Sequence, residues 1–308
     1  MVRLVSPTAL GWPWPAVTVG NFDGIHRGHQ ALVAVAVRDA RAAGGTAVVL
    51  TFDPHPSAVL SPDRAPSALM TLEQKGEVVA GLGADRLVAL PFTPELCRKS
   101  AEQFAREVLR GTLGARVVVV GSNFRFGAHR SGDLETLRSL GHDLGFRVHG
   151  LDPIFHQGAP ISSTRIREAL ARGAVEAAEE LLGRRFFVDG TVVRGDGRGR
   201  SLGIPTANLE SINQTLPGSA VYACWSRLQA EPAAPLRAVV NIGRRPTFGG
   251  GRTSIEAHLL DFDDELYGRG LRLEFHTRLR EERTFSGAAA LREQILQDIA
   301  EARRVLGG

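Results

Sequence analysis

Gly20-Asn21-Phe22-Asp23-Gly24-Ile25-His26-Arg27-Gly28-His29-Gln30 decides how the first half of this chain folds. It follows an apolar run, residues 16–19, that reads as a buried strand, and it leads into residues 31–43, whose composition favours helix. A strand that turns directly into a helix exposes unpaired backbone N–H groups, and the helix dipole adds to their attraction for anions. His26 and His29, three apart, can share one face at that point. Gly28 between them lets a polyphosphate come close to the backbone.

Working outward, residues 46–52, 86–90, 116–120 and 146–151 read as further short apolar strands, and residues 72–82, 101–110 and 133–144 have helical spacing. This alternation predicts a parallel sheet with helices on both faces, where ligands bind at the carboxyl ends of the strands. A second polar run, Ile161-Ser162-Ser163-Thr164-Arg165-Ile166-Arg167, gathers hydroxyl and guanidinium groups just ahead of a helix expected at residues 168–172. Ser162, Ser163 and Thr164 suit N-capping and Arg167 suits a bidentate phosphate contact. Paired with His26 and His29, they predict the other wall of one ATP site.

The pattern changes after Leu181-Leu182-Gly183-Arg184-Arg185, which places a domain boundary between residues 1–183 and 184–308. Residues 186–193, 221–228, 237–242, 254–262 and 271–279 are strand-like and separated by Gly, Pro and Asp clusters, with one helix expected at residues 286–306. Consecutive strands without crossover helices imply an antiparallel sheet or a small barrel. Alternation puts Glu256, His258 and Leu260 on one strand face and Ile255, Ala257 and Leu259 on the other. A glycine-rich segment, Gly195-Asp196-Gly197-Arg198-Gly199-Arg200, precedes Pro205-Thr206-Ala207-Asn208; its glycines suit a loop that wraps phosphate or a plain hairpin.

Composition narrows the function classes. A chain of 308 residues, 43% hydrophobic and 23% charged, describes an ordinary soluble globular protein of two domains. Residues 1–15 contain Pro7, Pro13 and Pro15 and lack the apolar stretch of a signal peptide, and no apolar run is long enough to span a bilayer. A cytoplasmic protein with no membrane partner is expected. Cys97 and Cys224 fall in different candidate domains with no metal-ligand spacing, so they read as free thiols. The net charge of +4 comes from dispersed arginines rather than basic runs, which argues against nucleic acid and fits polyphosphate substrates. Lysine stands only at Lys75 and Lys99, neither in a GxxxxGK[ST] context, so phosphoryl transfer here proceeds without a P-loop lysine.

Over nearly its whole length the chain resembles the prokaryotic bifunctional riboflavin kinase/FAD synthetase family. Beyond the two signatures, Thr51-Phe52-Asp53-Pro54-His55-Pro56, Gly121-Ser122-Asn123-Phe124-Arg125-Phe126-Gly127, Pro205-Thr206-Ala207-Asn208, Asn241-Ile242-Gly243, Pro246-Thr247-Phe248 and residues 255–262 occur in the family's order. The resemblance implies an N-terminal Rossmann-like nucleotidyltransferase domain that transfers AMP from ATP to FMN, giving FAD and pyrophosphate. It also implies a C-terminal antiparallel six-stranded β-barrel with a terminal helix, which phosphorylates riboflavin to FMN. Each reaction uses ATP and Mg2+, and a homo-oligomer is compatible with it.

In the first site the resemblance gives His26 and His29 the ATP phosphates, with Ser163, Thr164 and Arg167 opposite them. Asn21 and Asp23 would position the nucleotide or a hydrated magnesium ion, although Asp23 equally suits helix capping. His55, held between prolines, and Asn123, Phe124 and Phe126 are candidates for the flavin; a rigid turn is the other reading of His55. In the barrel Gly197, Gly199, Thr206 and Asn208 are assigned to ATP, the last two also to the metal. Glu256 is the candidate general base for the ribityl hydroxyl, an exposed strand carboxylate being the alternative, and His258 is read as structural. Arg280, Glu282 and Phe285 keep the family's RxExxF spacing. Two departures stand out: Ser122 where the family more often has an acidic residue, and Ala220 where it usually has glycine. A competing reading is an FMN adenylyltransferase whose barrel is weakly active or only a regulatory flavin-binding module.

Overall fold

The computed structural model describes residues 2–3, 9–195, 203–229, 234–245 and 252–307. Gly197, Gly199 and the Pro246-Thr247-Phe248 motif lie outside the described residues. Two compact units are present, Met1–Ser163 and Thr164–Gly308.

The first unit runs β1 (Val2–Arg3), β2 (Ala16–Val19), α1 (Arg27–Ala42), β3 (Ala47–Asp53), α2 (Pro56–Leu60), α3 (Leu72–Gly81), β4 (Arg86–Pro91), α4 (Pro94–Arg98), α5 (Ala101–Gln103), β5 (Val117–Gly121), α6 (Leu134–Leu144) and β6 (Arg147–Leu151). Helix α5 continues as a π-helical stretch, Phe104–Thr112, and a hairpin of β7 (Phe155–His156) and β8 (Ala159–Pro160) follows β6. The sheet order is β1-β4-β3-β2-β5-β6, every neighbouring pair parallel. Both faces are covered, which is why the strands read as continuous apolar runs. Ala16, Ala47, Val117 and Val119 meet Ala36 and Ala40 of α1 on one face. Val17, Val48, Leu50, Val118 and Val120 meet Phe104, Val108, Leu109 and Leu137 on the other. The chain builds outward from β2 through β3 to β4, then restarts on the other side of β2 with β5 and β6. The switch point therefore lies between the carboxyl ends of β2 and β5, the place where such sheets bind ligands.

The second unit contains α7 (Ser163–Ala171), whose first residue belongs to the first unit, α8 (Val175–Leu182), β9 (Phe187–Val193), β10 (Ala207–Ser211), β11 (Ala220–Leu228), β12 (Leu236–Arg245), β13 (Arg252–Leu259), β14 (Gly270–Glu281) and α9 (Ala288–Val305). The six strands close a barrel in the order β10-β13-β12-β11-β14-β9, all antiparallel. Closure leaves no edge strand. Tyr222, Cys224, Val240, Ile242, Ala257 and Phe275 are fully buried or nearly so, and burial pushes the Cys224 thiol well up and the Tyr222 hydroxyl up to about 12. The opposite strand faces carry Val221, Ala223 and Val239, packed with Leu260, Ala302 and Leu306. Arg280 ties β14 to α9 through Asp298, with Nη2 to Oδ2 at 2.7 Å.

The structure corrects several sequence expectations. Helix α7 begins at Ser163 rather than at 168, so Ser163, Thr164 and Arg167 lie within it and not ahead of it. Ile166, Ala169 and Leu170, buried at helical spacing, carry the helix back to the serines. Within the barrel, strand β10 is the one that periodicity missed: Ala207 and Leu209 are buried, but Pro205 and the polar Asn208 and Glu210 obscure the alternation. Strand β13 ends at Leu259, earlier than expected, because Asp261 turns the chain at φ 60°. Ala220 is accommodated without left-handed backbone: it opens β11 in register with Ile242 and Glu281.

Candidate active sites

Between β2 and α1 the backbone is strained. Phe22 and Ile25 have φ of 46° and 42°, and Gly24 has 82°. A left-handed conformation costs a non-glycine residue about 1–3 kcal/mol, so it persists only where the surroundings enforce it. Here they do. The carbonyl of Asn21 accepts from Thr51 Oγ1 at 3.0 Å and from Lys75 Nζ at 3.1 Å. The buried Asp23 carboxylate accepts the Leu69 backbone N–H at 3.0 Å, and Gln30 Nε2 donates to the carbonyl of Ile25 at 2.9 Å. Ser163 Oγ donates to the carbonyl of Asp23 at 2.8 Å, so the two signatures, 140 residues apart, are joined by a hydrogen bond. Thr164 follows Ser163 on α7, and Arg167, four residues after Ser163, shares the serine's helix face.

His26 is the N-cap of α1. Its Nδ1 accepts the backbone N–H of His29 at 3.4 Å, which places the proton of the neutral ring on Nε2. The two imidazoles stack with centroids 3.6 Å apart and planes 18° from parallel. A Cβ at Gly28 would come within 3.2 Å of the His26 ring, so a larger residue there would make that ring give way. Burial first, then electrostatic interaction with the neighbouring His26 and with the Lys75 ammonium, pushes the His29 pKa well below 6.5 and keeps it a neutral donor. His29 Nδ1 is buried without a hydrogen bond among the described residues, a cost that folding alone does not explain.

Other candidates follow neighbouring strand ends. His55, after β3, is the N-cap of α2 and likewise uses Nδ1, accepting from the Ser57 backbone N–H at 3.2 Å. After β5, Asn123 is exposed and Phe124 half-buried. Phe124 stacks on Phe126 at 5.3 Å, and Phe126 is itself buried against Phe104. Of the two aromatic residues, Phe126 contributes to the core and Phe124 keeps a solvent-facing surface. Ser122 donates its backbone N–H to the carbonyl of Leu151 at 2.8 Å.

In the barrel, register gathers the candidates. Glu256 on β13 pairs with Asn208 of β10 on one side and Asn241 of β12 on the other. Directly paired residues share a sheet face, with Cβ atoms about 4.5–5.5 Å apart, so Glu256 lies between two amide side chains. The Asn208 amide rests on Gly195, where a Cβ would overlap it. Glu282 rests in the same way on Gly243. His258 Nδ1 meets the carbonyl of Pro205 at 2.8 Å, so its ring donates and anchors the segment that leads to Thr206.

Sequence reasoning overlooked two contributors. Asn241 was legible only as part of its motif, and Lys75 only as one of two lysines. Neither carried a spacing signal, because strand pairing and helix packing bring them into place.

Comparison with known proteins decides the family. A FAD synthetase family model matches residues 13–165, and a riboflavin kinase family model matches residues 182–306. The chain belongs to the bifunctional riboflavin kinase/FMN adenylyltransferase family. Proteins of that name from Escherichia coli K12, Pseudomonas fluorescens and Bacillus subtilis 168 are 37%, 39% and 38% identical to it. The alignments cover 94%, 93% and 94% of this chain and 92%, 91% and 91% of those relatives. A crystal structure named as a macrolide-efflux protein from Streptococcus pneumoniae matches with a TM-score of 0.89 and 30% identity, over 98% of both chains. The protein is therefore an enzyme with two activities, ATP-dependent phosphorylation of riboflavin to FMN and adenylylation of FMN to FAD. Among the described residues no helix is long and apolar enough to cross a membrane.

Proposed function

We propose that the two reactions use the two constellations above, in domains 1–183 and 184–308. The observation that carries this division is that they share no residue and stand on different kinds of support, a strapped loop in one and a strand register in the other. In the first site a phosphate oxygen of FMN attacks the α-phosphorus of ATP and pyrophosphate leaves. That reaction needs alignment and charge stabilisation rather than a protein nucleophile. His26 and His29 donate N–H groups to the charge growing on pyrophosphate, aided by Ser163, Thr164 and Arg167. Asn21 and Asp23 shape the loop around the nucleotide, and His55, Asn123 and Phe124, with Phe126 behind, hold the flavin.

In the barrel Glu256 accepts the proton of the terminal ribityl hydroxyl as that oxygen attacks the γ-phosphorus of ATP, the phosphoryl group passing through a loose transition state. Thr206 and Asn208 offer a hydroxyl and an amide oxygen, hard donors that suit Mg2+, and Gly195 leaves the Asn208 amide the room it occupies. The ion, when bound, offsets phosphate charge. Gly197 and Gly199 complete the phosphate loop. The enzyme works in the cytoplasm on small molecules without a nucleic-acid partner.

Replacing Glu256 by Gln tests the kinase assignment. FMN formation falls roughly 10²–10⁴-fold, while FMN adenylylation, nucleotide affinity and thermal stability stay near wild type. Unchanged turnover would remove Glu256 from the mechanism.

A further inference from the structure

Lys75 lies on α3 and is only 7% exposed, an expensive place for an ammonium unless it is compensated. Its Nζ donates to the carbonyl of Asn21, 54 residues away in sequence, at 3.1 Å. Thr51 Oγ1 holds the same carbonyl at 3.0 Å, so one peptide oxygen takes donors from both α3 and β3. Among 37 basic residues lysine occurs twice, and one of the two is this buried one. A compact ammonium suits a single carbonyl, whereas a guanidinium fork matches a carboxylate or phosphate.

We infer that Lys75 is a positioning residue of the adenylyl-transfer site: its buried ammonium clamps the Asn21 carbonyl, holds residues 20–26 in their strained form and sets a fixed positive charge beside His29. The inference rests on assigning that loop to FMN adenylylation. Without the clamp, Phe22 and Ile25 lose one restraint on their left-handed backbone and the start of α1 is free to shift. The same ammonium, after burial and the interaction with His26, lowers the His29 pKa. Lys75 thus supplies permanent positive potential, and His29 remains a neutral donor.

The test uses the full chain and three variants: Lys75→Met, which keeps the alkyl stem; Lys75→Gln, which keeps a donor without the charge; and His26→Ala with His29→Ala. Both half-reactions, thermal unfolding and the His29 imidazole titration by NMR are measured. In Lys75→Met, kcat for FMN adenylylation falls about 10–100-fold, as expected for a small misplacement of the reacting groups, and riboflavin phosphorylation is unchanged. The His29 midpoint rises towards its ordinary value in both Lys75 variants, and Lys75→Gln keeps more activity than Lys75→Met. If Lys75→Met does not fold, Lys75→Gln decides by its reduced kcat and raised midpoint. Unchanged kcat in a folded Lys75 variant, an unmoved His29 midpoint, or equal loss of both activities would overturn the inference. If the double histidine variant makes FAD at the wild-type rate, the loop assignment itself fails; if it loses FAD synthesis while Lys75→Met does not, only the role of Lys75 fails.

Discussion

The two candidate sites are built in opposite ways. Around His26 the backbone is irregular, with left-handed Phe22 and Ile25, and it holds its shape through side chains from β3, α3 and α7. Around Glu256 the backbone is regular, and position follows from pairing: Asn208 and Asn241 flank the glutamate because two antiparallel ladders put them opposite it. A loop site is therefore sensitive to residues far from the chemistry, whereas a register site is protected as long as the barrel closes. Phosphate binding wants free N–H groups, which a helix start provides and a sheet interior does not. Positioning a proton acceptor on a hydroxyl wants a rigid strand.

The largest effect that sharpens this contrast comes from His26→Ala with His29→Ala. FAD formation from FMN falls by about 10²–10³-fold, the loss typical of removing preorganised donors to developing charge, while FMN formation from riboflavin persists. Assaying each half-reaction separately checks it, and parallel loss of both in a folded protein would break the division between the sites.

A smaller effect concerns the support of the barrel. Glu176 of α8 accepts from the Thr277 hydroxyl and from the Arg278 backbone N–H at 3.0 Å, and Gly173 sits where a Cβ would come within 2.7 Å of the Tyr222 hydroxyl. A fragment of residues 184–308 lacks these contacts and one of residues 164–308 keeps them. The shorter fragment should be less stable by about 1–3 kcal/mol, the scale of losing such hydrogen bonds and packing, yet still make FMN. Comparing denaturant midpoints and kinase rates decides whether α7 and α8 serve the barrel; identical midpoints would leave the boundary at 183 as the better division.

The smallest effect is pH-dependent. His29 titrates well below 6.5 when folded, so below that pH the unfolded chain binds a proton that the folded chain does not. Stability contributed by the neutral ring is complete above the unfolded pKa and declines as pH falls through and below it. Unfolding of the wild type between about pH 7.5 and about pH 5.5 should therefore show a steeper acid loss than His29→Gln, on the basis of this linkage. Equal slopes would mean that burial of His29 contributes nothing to acid sensitivity.

The sequence by itself determined the two fold classes and named the candidate site residues. Alternating apolar runs and helical segments require a parallel sheet, and consecutive strands without crossovers require an antiparallel one, because each pattern buries its apolar faces in only one way. His26, His29, Ser163 and Glu256 were legible because their neighbours form local motifs. Only the tertiary structure decided the rest. It placed Asn241 beside Glu256, made β10 the sixth barrel strand, turned His26 and His55 into helix caps, began α7 at Ser163 and brought Lys75 to Asn21. These depend on which distant groups meet. A local pattern carries the period of a helix or strand, but a hydrogen bond across 54 or 140 residues is set by how those elements pack.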